Sequence, residues 1–226
     1  MKFKLLAGAL LGAGMLAAAP ASAATFTIDG GTPDFLPNPT FNPTPFTGAS
    51  PGDPVTLFES ATNGGSIGGG LKINPDGAGA MIRVTFLGKE AGADNSFIEL
   101  TGANGTLNNK TSVVGDFIDF ADAGGFVDFL FRTTNADQTV GFNPSITNGG
   151  ISEFAPLSMS FSSIFTGDKG GDAVLAFFGD GRGDNDFDDM VVSIQIIPLP
   201  AGILLMLTAL GGLGFFASRR RQVAAA

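Results

Sequence analysis

Five carboxylates stand within ten residues, at Asp180, Asp184, Asp186, Asp188 and Asp189, with Arg182 the one cation among them. At this spacing like charges repel unless a cation neutralises them or water screens them. A hard cation suits the pattern. Ca²⁺ collects about six to eight oxygens, and Gly179, Gly181 and Gly183 let backbone carbonyls and short Asp side chains converge. An EF-hand is excluded, because counting from Asp184 puts Asp189 where glycine is needed and Gln195 where a bidentate Glu belongs. The five Asp residues are therefore expected to include the principal metal ligands. The plainer alternative is a solvated acidic turn. If the segment is extended, Asp184, Asp186 and Asp188 point one way and Asp189 the other.

A looser acidic group, Asp116, Asp119, Asp122 and Asp128, lies between phenylalanine-rich segments. It reads as exposed strand ends or as the carboxylate pair of a glycoside hydrolase. Much other chemistry is excluded by composition. The chain has no Cys, His, Trp or Tyr, which removes thiol and imidazole catalysis, zinc sites of the Cys/His type and haem ligation through those residues. The glycine-rich run from Gly64 to Gly70 lacks the Gly-Lys-Ser/Thr ending of a phosphate loop, since Leu71 separates Gly70 from Lys72. It is expected to be a flexible turn, and no catalytic residues are assigned.

The elements that must carry these residues are strands. Short runs of β-branched and aromatic residues alternate with Gly, Asn and Asp turns, and no stretch of the body keeps a helical period beyond about two turns. In Ile82 to Phe86, Ile82, Val84 and Phe86 share a face, with Arg83 and Thr85 opposite; in Met190 to Ile196, the even-numbered residues alternate with Ser193 and Gln195. Further strands are expected at Val55 to Phe58, Phe97 to Leu100, Val113 to Phe120, Phe126 to Arg132, Leu157 to Phe165 and Ala173 to Phe178. The fold expected over residues 55–196 is all-β, a β-sandwich or jelly roll, with phenylalanines filling the space between sheets. Ahead of it, seven prolines between Thr32 and Pro54 mark residues 24–54 as an extended arm.

Both ends carry addresses. Lys2 and Lys4, the apolar run Leu5 to Ala19 and Ala21-Ser22-Ala23 form a signal peptide over residues 1–23, cleaved between Ala23 and Ala24. At the other end, residues 197–226 hold Ile197-Pro198-Leu199-Pro200-Ala201, an uncharged span from Ala201 to Ser218, and Arg219, Arg220 and Arg221. Eighteen helical residues reach about 27 Å, enough to cross a bilayer core as a transmembrane helix, and the arginines favour a cytoplasmic C-terminus. The segment between these signals holds seven cations and 21 anions, a net charge of −14. That argues against nucleic acid as a partner.

The motif Ile197 to Ala201, the apolar helix and the arginine cluster resemble the PEP-CTERM sorting signal in its VPLPA-CTERM variant, with Ile197 as a conservative departure at the first position. The resemblance implies a Gram-negative exported protein, cut at Pro198, Leu199, Pro200 and Ala201 by an exosortase-type enzyme and delivered to the cell surface or exopolysaccharide matrix. Ala176 to Asp180, leading into Asp184 to Val192, resembles the C-terminal signature of an Asp-rich β domain of unknown function found in bacterial surface and matrix proteins. Val84 to Gly92, with Asn95 to Phe97, resembles an upstream stretch of the same proteins. This second likeness implies a β-sandwich and Ca²⁺ binding. The function expected is that of a non-enzymatic structural or adhesive protein of the envelope or biofilm matrix. Its partners are signal peptidase, the exosortase-type enzyme and, before processing, the cytoplasmic membrane. The alternatives are a carbohydrate-binding module that retains exopolysaccharide and a carboxylate-dependent glycoside hydrolase.

Overall fold

The computed structural model describes residues 24–36, 50, 52–75, 79–90, 92–103, 105–134, 139, 141–181 and 189–198. Its strands are β1 (Thr25–Gly30), β2 (Thr32–Phe35), β3 (Pro54–Glu59), β4 (Gly65–Ser66), β5 (Gly69–Asn74) and β6 (Ala80–Gly88). They continue with β7 (Asp94–Glu99), β8 (Thr106–Asn108), β9 (Phe117–Asp122), β10 (Gly125–Phe126), β11 (Phe129–Thr134) and β12 (Ser145–Thr147). The last five are β13 (Ile151–Ser152), β14 (Ser158–Ser162), β15 (Phe165–Thr166), β16 (Asp172–Gly179) and β17 (Met190–Ile197). The described residues are thus all-β, as expected. They form three antiparallel sheets, ordered β1-β5-β10, β4-β13-β12-β11-β7-β8, and β2-β3-β14-β16-β17-β6-β9, with β15 paired to β16.

The alternation read from the sequence is what builds the core. Ile82, Val84 and Phe86 of β6 and Met190, Val192, Ile194 and Ile196 of β17 all lie in one buried cluster, to which the other two sheets contribute Phe97, Phe129 and Phe131, and Phe26, Leu71 and Ile73. Rings meet across the two larger sheets: Phe131 stacks on Phe178 at 5.0 Å between centroids, and Phe129 meets Phe161 edge-on at 6.4 Å. Full burial of such a side chain contributes about 1.5–3 kcal/mol. The arrangement is consistent with a β-sandwich. β16 is buried on both faces, because Leu175 and Phe177 join Val191, Val55 and Leu36 in a second, outward cluster.

Local details differ from the sequence reading: the strands expected at 126–132 and 157–165 are each interrupted, β10 ending at Phe126 before β11 opens at Phe129 in another sheet, and β14 ending at Ser162 before β15 opens at Phe165. The strand expected from Val113 begins only at Phe117: Asp116 Oδ2 accepts the Val113 N–H at 2.9 Å, and its own N–H returns to the Val113 carbonyl, so Val113 and Val114 sit in an exposed turn. The sheets also begin before residue 55. Thr25–Gly30 pairs with β5 and Thr32–Phe35 with β3, and Leu36 exchanges hydrogen bonds with Gly52 and Asp53. Pro33 fits there because β2 is an edge strand and Pro54 because it opens β3. Lastly, the glycine run enters β4 and β5, and Gly69 lets β1 approach so closely that a Cβ would lie 1.8 Å from the Asp29 carbonyl oxygen.

The two poles of the body are set by β16 and β17. Where β16 begins, Asp172 Oδ2 accepts the Phe26 N–H at 2.9 Å, and β17 ends beside it. Ala24 and Pro198 therefore flank one pole. Asp180 and Asp189 lie at the other, about 27 Å away over the eight residue steps from Asp172 to Asp180 at roughly 3.4 Å each.

Candidate functional site

The site continues the aromatic row of the core. Phe97 of β7 meets Phe131 of β11 edge-on at 5.5 Å, and Phe131 stacks on Phe178 of β16. Side chains two residues apart on a strand share a face, so the next layer is Asn95, Thr133 and Asp180. Asn95 and Thr133 are opposite each other in the β7–β11 register, and Asn95 Nδ2 donates to Asp180 Oδ2 at 3.3 Å. The layer is closed to solvent: Asn95 and Thr133 are 0% exposed, Asp180 2% and Asp189 7%.

Backbone hydrogen bonds hold the layer from two sides. Asp180 donates its N–H to Asp189 Oδ2 at 2.6 Å, which joins the end of β16 to the start of β17. Asn109 exchanges bonds with Asn95, its N–H reaching the Asn95 carbonyl at 2.9 Å and its Oδ1 accepting the Asn95 N–H at 3.0 Å. The Asn109 Nδ2 then donates to the carbonyls of Ala93 at 3.0 Å and Asp189 at 3.4 Å. One side chain thus ties β7 to the acidic end of β17. Two oxygens in the layer, Asn95 Oδ1 and Thr133 Oγ1, are buried with no hydrogen-bond partner. Each such atom costs about 1–3 kcal/mol.

Of the five Asp residues expected to bind metal, the structure brings Asp180 and Asp189 together; Asp184, Asp186 and Asp188 lie outside the described residues. Among the described residues no three His, Cys, Asp or Glu side chains gather. The oxygens here come instead from two carboxylates, an amide and a hydroxyl. Neither Asn109 nor Thr133 was expected at a site, and Asn95 entered only within a resemblance. The signal available for Asn95 was its inward position, two residues before the buried Phe97.

The second acidic group is divided among separate local tasks. Asp116 closes the turn at Val113. Asp119 takes two hydrogen bonds from Arg83, at 2.8 and 2.7 Å, and that guanidinium lies 3.9 Å from the Phe117 ring centre. The hydrogen bond to Asp119 raises the Arg83 pKa. Asp122 is buried and accepts the N–H groups of Gly124 at 2.8 Å and Asp128 at 2.9 Å. Burial, followed by the charge of Asp122, raises the Asp128 pKa above the ordinary aspartate value.

Of the predicted processing residues, Ala24 packs against the core and Pro198 is exposed just after β17. Ala23, Leu199, Pro200, Ala201, the signal peptide, the span 201–218 and Arg219, Arg220 and Arg221 lie outside the described residues. Among the described residues no helix is long and apolar enough to cross a membrane. Compared with known proteins, the chain matches no family model, no curated protein and no solved structure.

Proposed function

We propose that the chain is an exported, non-enzymatic structural or adhesive protein of a Gram-negative cell surface or exopolysaccharide matrix. Its β-sandwich, jelly-roll-like body is stabilised by Ca²⁺ at the Asp180 to Asp189 segment. Signal peptidase frees Ala24, the helix over residues 201–218 holds the chain in the cytoplasmic membrane, and an exosortase-type enzyme acts at Pro198 to Ala201. The observation that carries this reading is the drawing together of Asp180 and Asp189, both buried, at the pole opposite Ala24 and Pro198. Two carboxylates held inside the protein favour a bound cation over a solvated turn. The pole opposite the anchor is also the one an anchored protein presents outward.

The test is thermal unfolding of the purified chain in EDTA and in millimolar Ca²⁺. A hundredfold excess over Kd adds about 2.7 kcal/mol of stability if only the folded form binds. The expected result is a Ca²⁺-dependent rise in Tm that is lost on Asp180→Asn with Asp189→Asn. No rise in the unmodified protein removes the Ca²⁺ reading.

A further inference from the structure

This inference rests on the Ca²⁺ reading and concerns which residues hold the ion. Three buried side-chain atoms among the described residues have no hydrogen-bond partner, and two of them, Asn95 Oδ1 and Thr133 Oγ1, belong to residues directly opposite each other in one strand pair. Both sit in the layer that contains Asp180, whose carboxylate the Asn95 amide touches. The layer holds amide, hydroxyl and carboxylate oxygens. An amide oxygen and a carboxylate cannot bond to each other, whereas one hard cation satisfies amide, hydroxyl and carboxylate oxygens together. Oxygen donors without nitrogen or sulfur select Ca²⁺ or a similar hard ion over transition metals. The Asn95 side chain is suited to the change: a half-turn of its amide exchanges Nδ2 for Oδ1 against Asp180 without moving the carbon skeleton.

We propose that Asn95 and Thr133 are ligands of the ion together with Asp180. Ca²⁺ then joins β7 and β11 of one sheet to the end of β16 in the other. The ion clamps the two facing sheets at the pole away from Ala24 and Pro198, and Asn109 positions the clamp by holding Asn95 against the Asp189 backbone. The remaining coordination positions fall to Asp189 and water.

The experiment is calorimetric titration of the purified chain with Ca²⁺ alone, together with melting in EDTA, for the unmodified protein, Thr133→Val and Asn95→Asp. Thr133→Val keeps the shape and removes one ligand. It is expected to weaken Ca²⁺ binding about tenfold, with Tm in EDTA unchanged or higher because the unpartnered hydroxyl is gone. Asn95→Asp is expected to tighten Ca²⁺ binding and to lower Tm in EDTA, since it adds a buried carboxylate to the layer. Should Asn95→Asp fail to fold, Thr133→Val carries the test by itself. Unmodified Ca²⁺ affinity in Thr133→Val overturns the clamp while leaving Ca²⁺ binding elsewhere intact. Absence of Ca²⁺ binding in the unmodified protein overturns both readings.

Discussion

Asp122 and Asp180 are the same side chain at nearly the same burial, 3% and 2% exposed, one ending β9 and the other directly following β16 in the same sheet. Their surroundings differ in kind. Both oxygens of Asp122 accept backbone N–H groups from within six residues, those of Gly124 and Asp128, so its charge is satisfied by the loop that it shapes. Asp180 faces an amide from 85 positions earlier in the chain, in a layer where two further oxygens have no partner. A buried carboxylate satisfied by neighbouring amides is a turn organiser. A layer that holds an unpartnered amide oxygen and an unpartnered hydroxyl is set up for a ligand, because an added donor or cation satisfies both.

The largest effect that tests this contrast is expected for Asp122→Ala. It removes two charge-assisted hydrogen bonds, and the loss should be about 3 kcal/mol in denaturant unfolding, equal in EDTA and in Ca²⁺. A loss that depended on Ca²⁺ would break the contrast. Next in size is Gly181→Ala. Gly181 has φ +75°, and a Cβ there would lie 2.4 Å from Pro156 Cβ and 2.6 Å from the Pro156 carbonyl oxygen, so the strain cannot be relieved by a rotamer change. The cost should be about 1–3 kcal/mol, with a weaker Ca²⁺ affinity because Asp180 is displaced. Gly125→Ala, in the Asp122 loop at φ +95° and in open space, should cost only about 1 kcal/mol and leave Ca²⁺ affinity alone.

The smallest effect is the pH dependence of Asp128→Asn. Burial and the nearby Asp122 raise the Asp128 pKa in the folded protein. Its favourable contribution is therefore present below the unfolded value near 3.9 and is lost as pH rises through the folded value. At pH 7 the charge opposes folding. Asp128→Asn should raise Tm slightly at pH 7 and not at pH 3, as measured by paired melts at the two pH values.

The all-β character, the inward faces of β6 and β17 and the acidic segment after β16 are all legible in the chain, because alternation and charge density are local properties. Val113 shows the limit of such reading: a β-branched run looks like a strand until an aspartate three residues on takes its amide. The prolines similarly mark where a helix or central strand cannot form, yet they leave open that Thr25–Gly30 and Thr32–Phe35 find partners in β5 and β3. What the sequence determined by itself is which side of each strand is apolar and where the carboxylates are dense. Only the tertiary structure decided that Asn95, Thr133 and Asp180 form one layer. Inter-strand register and the packing of facing sheets bring together residues far apart in the chain, and neither spacing nor composition encodes those partners locally.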